Sequence, residues 1–594
     1  MREVSVMYKK IIYILLLLWS TSLYADKEEI ILPTHIIEIN GETHFNESEM
    51  YDALSVDYKS MFEFWKDDIS RIKDKLLPTL PASLRAFYDS EGFYDANFTI
   101  AETNVTVTVD ISENEPVRVR DINISSDYTI LSLVSFKKDE IFRAEKFIEI
   151  KGNIAAQLLK DGYCSYELNS KAYVDLDKHV VDLRYNLTKG GVCTFGNVTI
   201  TGTQTIDDDV IKSRVRAKEG ERFNTELIKD TSEALYGLHS FDSVLIGIDR
   251  KFYNVVPVDI KLKEMEKPYH FEAGVGYDTY VGPRVHTSII KHNFLENAQE
   301  LELKLAWSKL EQQAILSFYR PVFINIFDCY VGLGAKIGYT NLEFDGFQEE
   351  KTFFKTYLEY ETKRLRLRVG VALETIDIHS LDNLRPDEEL KFAVNAGNFI
   401  LTYPYVEFVY DARDSKLNPK YGYYFSAYLE TGLSDDQGSS VYYKTLLEGR
   451  FIHTFSDLTL AAVGKVGVLQ EAHKKSLPES KYFFAGGSFS NRAYGYRELG
   501  IITSTTEDTI YGASSWANLS VEADYPISGN LYGAVFTDNT LLMTDSYDFT
   551  GDIISSVGVG LRYLTPMGPF KLDVGFNVHD ASKYGISFQI GQSF

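Results

Sequence analysis

The chain has 594 residues, is 44% apolar and 14% aromatic, and sets 61 Lys+Arg against 85 Asp+Glu for a net charge of −24. That acidity argues against a nucleic-acid partner, because phosphate backbones call for a basic surface. The length allows several domains, and 40 Tyr with 37 Phe suit a protein with aromatic girdles at two membrane interfaces.

The first element reads as an export signal, residues 1–25. Arg2, Lys9 and Lys10 precede an apolar run at 11–18, and SLYA offers cleavage after Ala25. The run is too short to span a bilayer as a helix, and no later stretch is long and apolar enough. If the exported chain enters a membrane, it does so as a barrel.

Three related units follow, at 26–113, 114–190 and 191–267. Each carries a helix that ends near glycine and leads into a strand hairpin: LRAFYDSEGFYDANFTI, IAAQLLKDGYCSYEL and TSEALYGLHSFDSVLI. The marker glycines are Gly92, Gly162 and Gly237, where a left-handed cap would exclude a side chain. Helical spacing precedes them, in Leu84 and Tyr88, Ile154 and Leu158, Leu227 and Leu235. Alternation follows, in Val105, Val107 and Val109, then Val181, Leu183, Tyr185 and Leu187, then Val256, Val258, Ile260 and Leu262. Short opening strands (HIIEING, VRDINIS, FGNVTITG) complete a β-α-α-β-β unit, a small sheet with two helices on one face. A single irregular α+β domain is the alternative.

Cys164 begins the second hairpin, and Cys193 follows its last strand. The ends of an antiparallel hairpin return to each other, so export predicts a disulfide here, stiffening the joint between the second and third units. Closing a loop of about 30 residues is worth on the order of 3–4 kcal/mol. Cys329 is expected to be a lone, inert thiol. Zinc-type Cys and His spacings, HExxH, GxSxG and phosphate-binding glycine loops are all missing from the sequence. No catalytic residue, metal or cofactor is therefore expected.

From Pro268 to the end the pattern is strand alternation. In YHFEAGVGYD, Tyr269, Phe271, Ala273, Val275 and Tyr277 oppose His270, Glu272, Gly274, Gly276 and Asp278. Leu572, Val574, Phe576 and Val578 likewise oppose Asp573, Gly575 and Asn577. At about 20 residues per strand and connection, 268–594 predicts a transmembrane antiparallel β-barrel of about 16 strands. A soluble sandwich would alternate in the same way; export, length and aromatic content favour the barrel. The final GISFQIGQSF places Ile586, Phe588, Ile590 and Phe594 on one face. It resembles the C-terminal signal of bacterial outer-membrane barrels.

Four further stretches carry a family resemblance. FFAGGSFSNRAYGY (483–496) is similar to a loop-six motif in which Gly486 and Gly487 precede Arg492, Tyr494 and Tyr496, with Ala493 standing where glycine is usual. YDARDSKLNPKYGYYFSA (410–427), SVEADYPISGNLYGAVFTDN and LRYLTPMGPFKLDVGF resemble the strand motifs that accompany it. With β-α-α-β-β repeats ahead of a barrel, the chain resembles the BamA/TamA superfamily of outer-membrane assembly proteins, whose repeats are POTRA domains. Three repeats, the chain length and LRAFYDSEGFYDA resemble its TamA branch.

The resemblance implies a non-catalytic factor in the bacterial outer membrane, with its N-terminal domains in the periplasm. Such a factor helps insert or translocate β-barrel clients such as autotransporters. Its implied partners are unfolded outer-membrane proteins, the lipid bilayer and a TamB-like periplasmic protein anchored in the inner membrane. The alternatives are a two-partner-type secretion pore, the main BamA-like insertase, or a binding or adhesion barrel. The resemblance further implies that Glu522 and Asp538 neutralise Arg492, with Tyr494 and Tyr496 packed beside the pair. It also implies a barrel seam between the first strand (Gly274, Gly276) and the last (Gln589, Gly591, Phe594), where a client strand would pair.

Overall fold

The computed structural model describes residues 33–590 apart from 42–43, 60–66, 249–253, 279–281, 328, 345–346, 381–395, 435–439, 474–475, 503–509 and 566–567. The expected export signal, Gly591 and Phe594 lie outside the described residues. The chain divides into two compact units, one ending near Thr194 and the other running from Phe195 through most of the remainder.

The first unit holds two small sheets. The first sheet orders its strands Arg71–Lys73, Thr34–Asn40, Thr106–Ser112 and Asn97–Glu102. Its central pair is parallel, with Ile37 opposite Val107. Helices Glu47–Leu54 and Leu80–Ser90 supply Met50, Leu84 and Tyr88, which pack with Val107 and Val109 in one core. Burial and the neighbouring Glu113 carboxylate, which accepts from the Tyr88 hydroxyl at 3.1 Å, push that phenol well above its usual pKa. Gly92 follows the second helix with φ 91°, and a Cβ there would lie 2.2 Å from the Phe142 carbonyl oxygen. Both its backbone and its neighbour exclude a side chain.

The second sheet orders Arg118–Ser126, Val180–Thr188 and Glu167–Asp175. Helix Ala144–Lys160 buries Ile154 and Leu158 against Val181, Leu183 and Tyr185. This repeat departs from the expected two helices. Across 127–143 the backbone makes two turns, one in which Leu133 and Val134 donate to the Ile130 carbonyl and one in which Glu140 donates to the Lys137 carbonyl. Ser, Thr and β-branched residues in this stretch favour turns over a continued helix. Cys164 and Cys193 are bonded, with their Cα atoms 5.9 Å apart, inside the range a disulfide requires. Cys329 is free and exposed.

The second unit contains most of the third small sheet, ordered Thr194–Thr201, Val255–Glu264 and Phe241–Ile248, and of its helices Asp208–Lys212 and Thr225–Tyr236. Val258, Ile260 and Leu262 are buried as their alternation requires. The barrel follows as a 16-stranded sheet from Tyr269–Asp278 to Tyr584–Ile590. Its pairs run antiparallel between sequence neighbours, and the strand Leu458–Glu471 pairs with Ser515–Ser528 across a long connection.

Burial in this sheet is inverted relative to a soluble sandwich. On the strand Gly568–Asn577, Leu572 is 43% exposed while Asp573 is 3% exposed. Val557, Val559 and Leu561 are exposed on the neighbouring strand, whereas Arg562 is buried. Apolar residues face outward and charged residues inward, the arrangement of a barrel whose outer solvent is lipid.

Candidate functional site

The connection between Leu458–Glu471 and Ser515–Ser528 folds back into the barrel. Its residues Leu477, Phe483, Ala485 and Leu499 share a core with Tyr403, Tyr442 and Trp516 of the inner wall. Phe483 and Ala513 exchange backbone hydrogen bonds of 2.9 and 2.8 Å, as do Ala485 and Leu499 at 2.7 and 3.0 Å. Gly486 and Gly487 have φ of 99° and 88°, and a Cβ on Gly486 would fall 2.3 Å from the Gly495 carbonyl oxygen. The glycine pair therefore permits a reversal that a side chain would block.

That reversal presses Arg492, 6% exposed, against the wall strands that carry Glu522, Asp538 and Asp573. Its Nε and Nη2 donate to the two oxygens of Asp538, both at 2.9 Å. Its Nη1 donates to Glu522 at 2.5 Å and lies 3.5 Å from Asp573. Arg562 extends the cluster, donating to Glu522 at 2.8 Å and to Asp573 at 2.6 Å, and Lys571 stands 3.9 Å from Glu522. A buried guanidinium requires this kind of planar, charge-assisted pairing.

The structure places the accompanying aromatics differently from expectation. Tyr494 is half-buried and its hydroxyl accepts from Asn577 at 2.6 Å. Tyr496 does not pack beside the arginine: it is exposed, and the Arg497 guanidinium lies over its ring. Arg497 has φ 62°, so the backbone turns away immediately after Tyr496. The aromatic face beside Arg492 comes instead from Phe536, whose ring centroid is 3.3 Å from the guanidinium carbon. Ala493 fits although glycine is usual there, because the wall opposite is glycine. A Cβ on Gly575 would meet the Arg492 carbonyl carbon at 2.8 Å and the Ala493 nitrogen at 3.0 Å.

A second buried cation, which the sequence reading missed, fixes the same connection to another part of the wall. Lys481 lies 2.9 Å from Glu374 and 3.3 Å from Glu430, with its ammonium 4.3 Å above the Tyr403 ring. Lys444 donates to the Lys481 carbonyl at 2.6 Å. Nothing in SLPESKYFF marks this lysine. Its partners do leave a trace, as single carboxylates on otherwise alternating strands that face a barrel interior.

The seam lies beside this site. The first barrel strand pairs with Gly282–Lys291 and the last with Gly568–Asn577. Among the described residues no ladder joins the first strand to the last. Gly274 sits opposite His286, and a Cβ there would lie 2.1 Å from the imidazole. Gly276 faces Arg284, and Gln589 faces Lys571. Gln589 and Arg492 line one small cavity of about 50 Å³, so the folded-in connection reaches the last strand.

Comparison with known proteins agrees with this arrangement. The model of the Omp85 superfamily domain matches residues 293–594. The POTRA model, described as a surface antigen variable number repeat, matches 117–190 and 193–265. The chain is 24% identical over 590 residues to the outer membrane protein assembly factor BamA of Nitratidesulfovibrio vulgaris, covering 94% of this chain and 73% of that protein. It is 20% identical to BamA of Neisseria meningitidis serogroup B, covering 94% and 78%. The crystal structure of BamA from Haemophilus ducreyi lacking POTRA domains 1–3 superposes with a TM-score of 0.50 at 18% identity, covering 80% of this chain and 100% of that one. The chain belongs to the Omp85 superfamily, as an outer-membrane β-barrel preceded by periplasmic POTRA repeats.

Proposed function

We propose that this chain helps insert or translocate other β-barrel proteins, autotransporters among them, and that it does so by lending strand edges rather than by catalysis. The observation that carries this reading is the seam, whose first and last strands each have a paired side and a side without a ladder among the described residues. Unpaired backbone groups are costly in lipid, so a client strand gains most where a partner edge is offered. The POTRA sheets offer similar edges in the periplasm, since Glu167–Asp175 ends its sheet and carries exposed Tyr173 and Val174. Strand addition there would hold an extended client. Neither step needs a cofactor or a nucleotide.

Three repeats and the first repeat's motif support a TamA-like role, with a long TamB-like protein anchored in the inner membrane as partner. A second reading, the main BamA-like insertase, is favoured by the relatives named BamA that match along 94% of the chain. Depletion followed by quantitative outer-membrane proteomics separates the readings. Loss of a subset of barrels and autotransporters is expected. Loss of nearly all barrels would replace this reading with the insertase, and loss of one secreted protein would replace it with a secretion pore.

A further inference from the structure

Three metal-ligating side chains converge in the second unit where the third POTRA sheet meets the start of the barrel. His239 follows helix Thr225–Tyr236, His292 follows strand Gly282–Lys291, and Glu300 opens strand Glu300–Trp307. The Nδ1 atoms of His292 and His239 lie 3.1 and 3.8 Å from one oxygen of Glu300. One donor atom from each residue falls within 4.8 Å of the other two. His292 is 6% exposed, and the two imidazole centroids are 5.4 Å apart.

We propose that His239, His292 and Glu300 form a binding site for a divalent transition ion of the zinc class, which ties the last POTRA repeat to the first periplasmic turn of the barrel. Two imidazoles and a carboxylate are a borderline-soft donor set that suits zinc, and they leave a fourth position for water. Bonds of 2.0–2.1 Å in a tetrahedral site place neighbouring donor atoms about 3.3 Å apart. The two separations to Glu300 bracket that value. His292 at 3.1 Å is within hydrogen-bond reach of Glu300, whereas the half-exposed His239 at 3.8 Å is at ion-pair distance, which leaves its imidazole free to take a metal bond.

The turn between His292 and Glu300 is built to hold these donors. Leu295, Glu296, Asn297 and Ala298 all have positive φ, between 55° and 68°. Four successive non-glycine residues rarely adopt this conformation. The Asn293 side chain accepts from Ala298 at 2.9 Å and donates to Thr205 at 2.7 Å. Asn297 accepts from the Asp207 backbone at 2.7 Å and donates its own N–H to the Thr205 carbonyl at 3.1 Å. The third repeat thus holds the turn in the shape that brings His292 and Glu300 together, and it supplies His239. Bound metal would fix the angle at which the repeats deliver a client to the barrel.

The test uses the full, untagged chain in detergent micelles, stripped with a chelator and titrated with zinc chloride against a chromophoric competitor. The wild type is expected to take up one equivalent, and His239→Ala and Glu300→Gln to lose that step while keeping the heat-modifiable migration of a folded barrel. Zinc-edge X-ray absorption of the wild type should show nitrogen and oxygen ligation without sulfur, and this decides the matter if either variant fails to fold. A wild type without stoichiometric uptake, variants that bind as the wild type does, or sulfur ligation would overturn the proposal.

Discussion

Arg492 gives three hydrogen bonds to the single carboxylate of Asp538, one from its backbone N–H at 3.0 Å and two from its guanidinium at 2.9 Å each. Side chain and backbone of the folded-in connection are thus fixed by one residue of the wall. Removing one partner of such a buried pair costs roughly 3–5 kcal/mol. Arg492→Ala should expose the connection to protease and lower client assembly, with the barrel still folded by gel mobility. Arg492→Lys should recover only part, because an ammonium cannot span both oxygens of Asp538 and also reach Glu522. Wild-type protease resistance in Arg492→Ala would refute this.

Gly575 tests the same contact from the wall. Gly575→Ala places a Cβ against the backbone of Arg492 and Ala493, the nearest atom at 2.8 Å. The connection must shift even though its own sequence is intact. Gly575→Ala should therefore resemble Arg492→Ala in protease sensitivity, and a silent substitution would mean that the wall yields instead.

Lys481 should act as a second attachment. Lys481→Met leaves Glu430 without its 3.3 Å ammonium partner, while Glu374 retains Lys355 at 3.1 Å. The expected loss is smaller than for Arg492→Ala, and the double variant should release the connection more fully than either single one. Equal protease sensitivity of the double variant and Arg492→Ala would show that Lys481 does not restrain the connection.

Locking the seam should stop client assembly without unfolding the barrel. A cysteine at Gly274 is a poor choice because its Cβ would collide with His286. Glu272 lies two residues earlier on the same face, so Glu272→Cys with Gln589→Cys, scanned by a residue either way for register, should crosslink under oxidation. Crosslinked protein is expected to be inactive and reductant to restore it. Full activity in the locked state would exclude lateral exit and favour passage through the lumen.

The Cys164–Cys193 bond closes a separation of 29 residues. Replacing both cysteines by serine should lower the stability of the first unit by about 3–4 kcal/mol in the chain-entropy model. Denaturant unfolding of the full chain, followed through Tyr and Trp fluorescence, reads this as an earlier first transition with the barrel transition unmoved.

Residues were legible in the sequence where local rules act. The repeat helices follow from Leu84 and Tyr88 or Ile154 and Leu158 at helical spacing, and the barrel face from Leu572 and Phe576 alternating with Asp573. Arg492 is legible through its motif, as the cation that follows Gly486 and Gly487 among aromatics. Its pairing with Glu522 and Asp538 rested on family resemblance, since residues 30 and 46 positions away carry no local signal. Arg562 and Lys571 were readable only as charges on inward faces, and Lys481 not at all. Tyr496 is exposed beside Arg497, a placement that motif spacing does not carry.

Val557, Val559 and Leu561 point out of the finished barrel, and that surface has a consequence for how each copy comes into being. A cylinder greasy on its outside cannot cross the aqueous periplasm already closed, so folding must wait until the bilayer is reached. Its own newly made chain therefore arrives with its strand edges unsatisfied. On the proposed function, birth and work then pose the same problem at the same place: a strand edge that needs a partner.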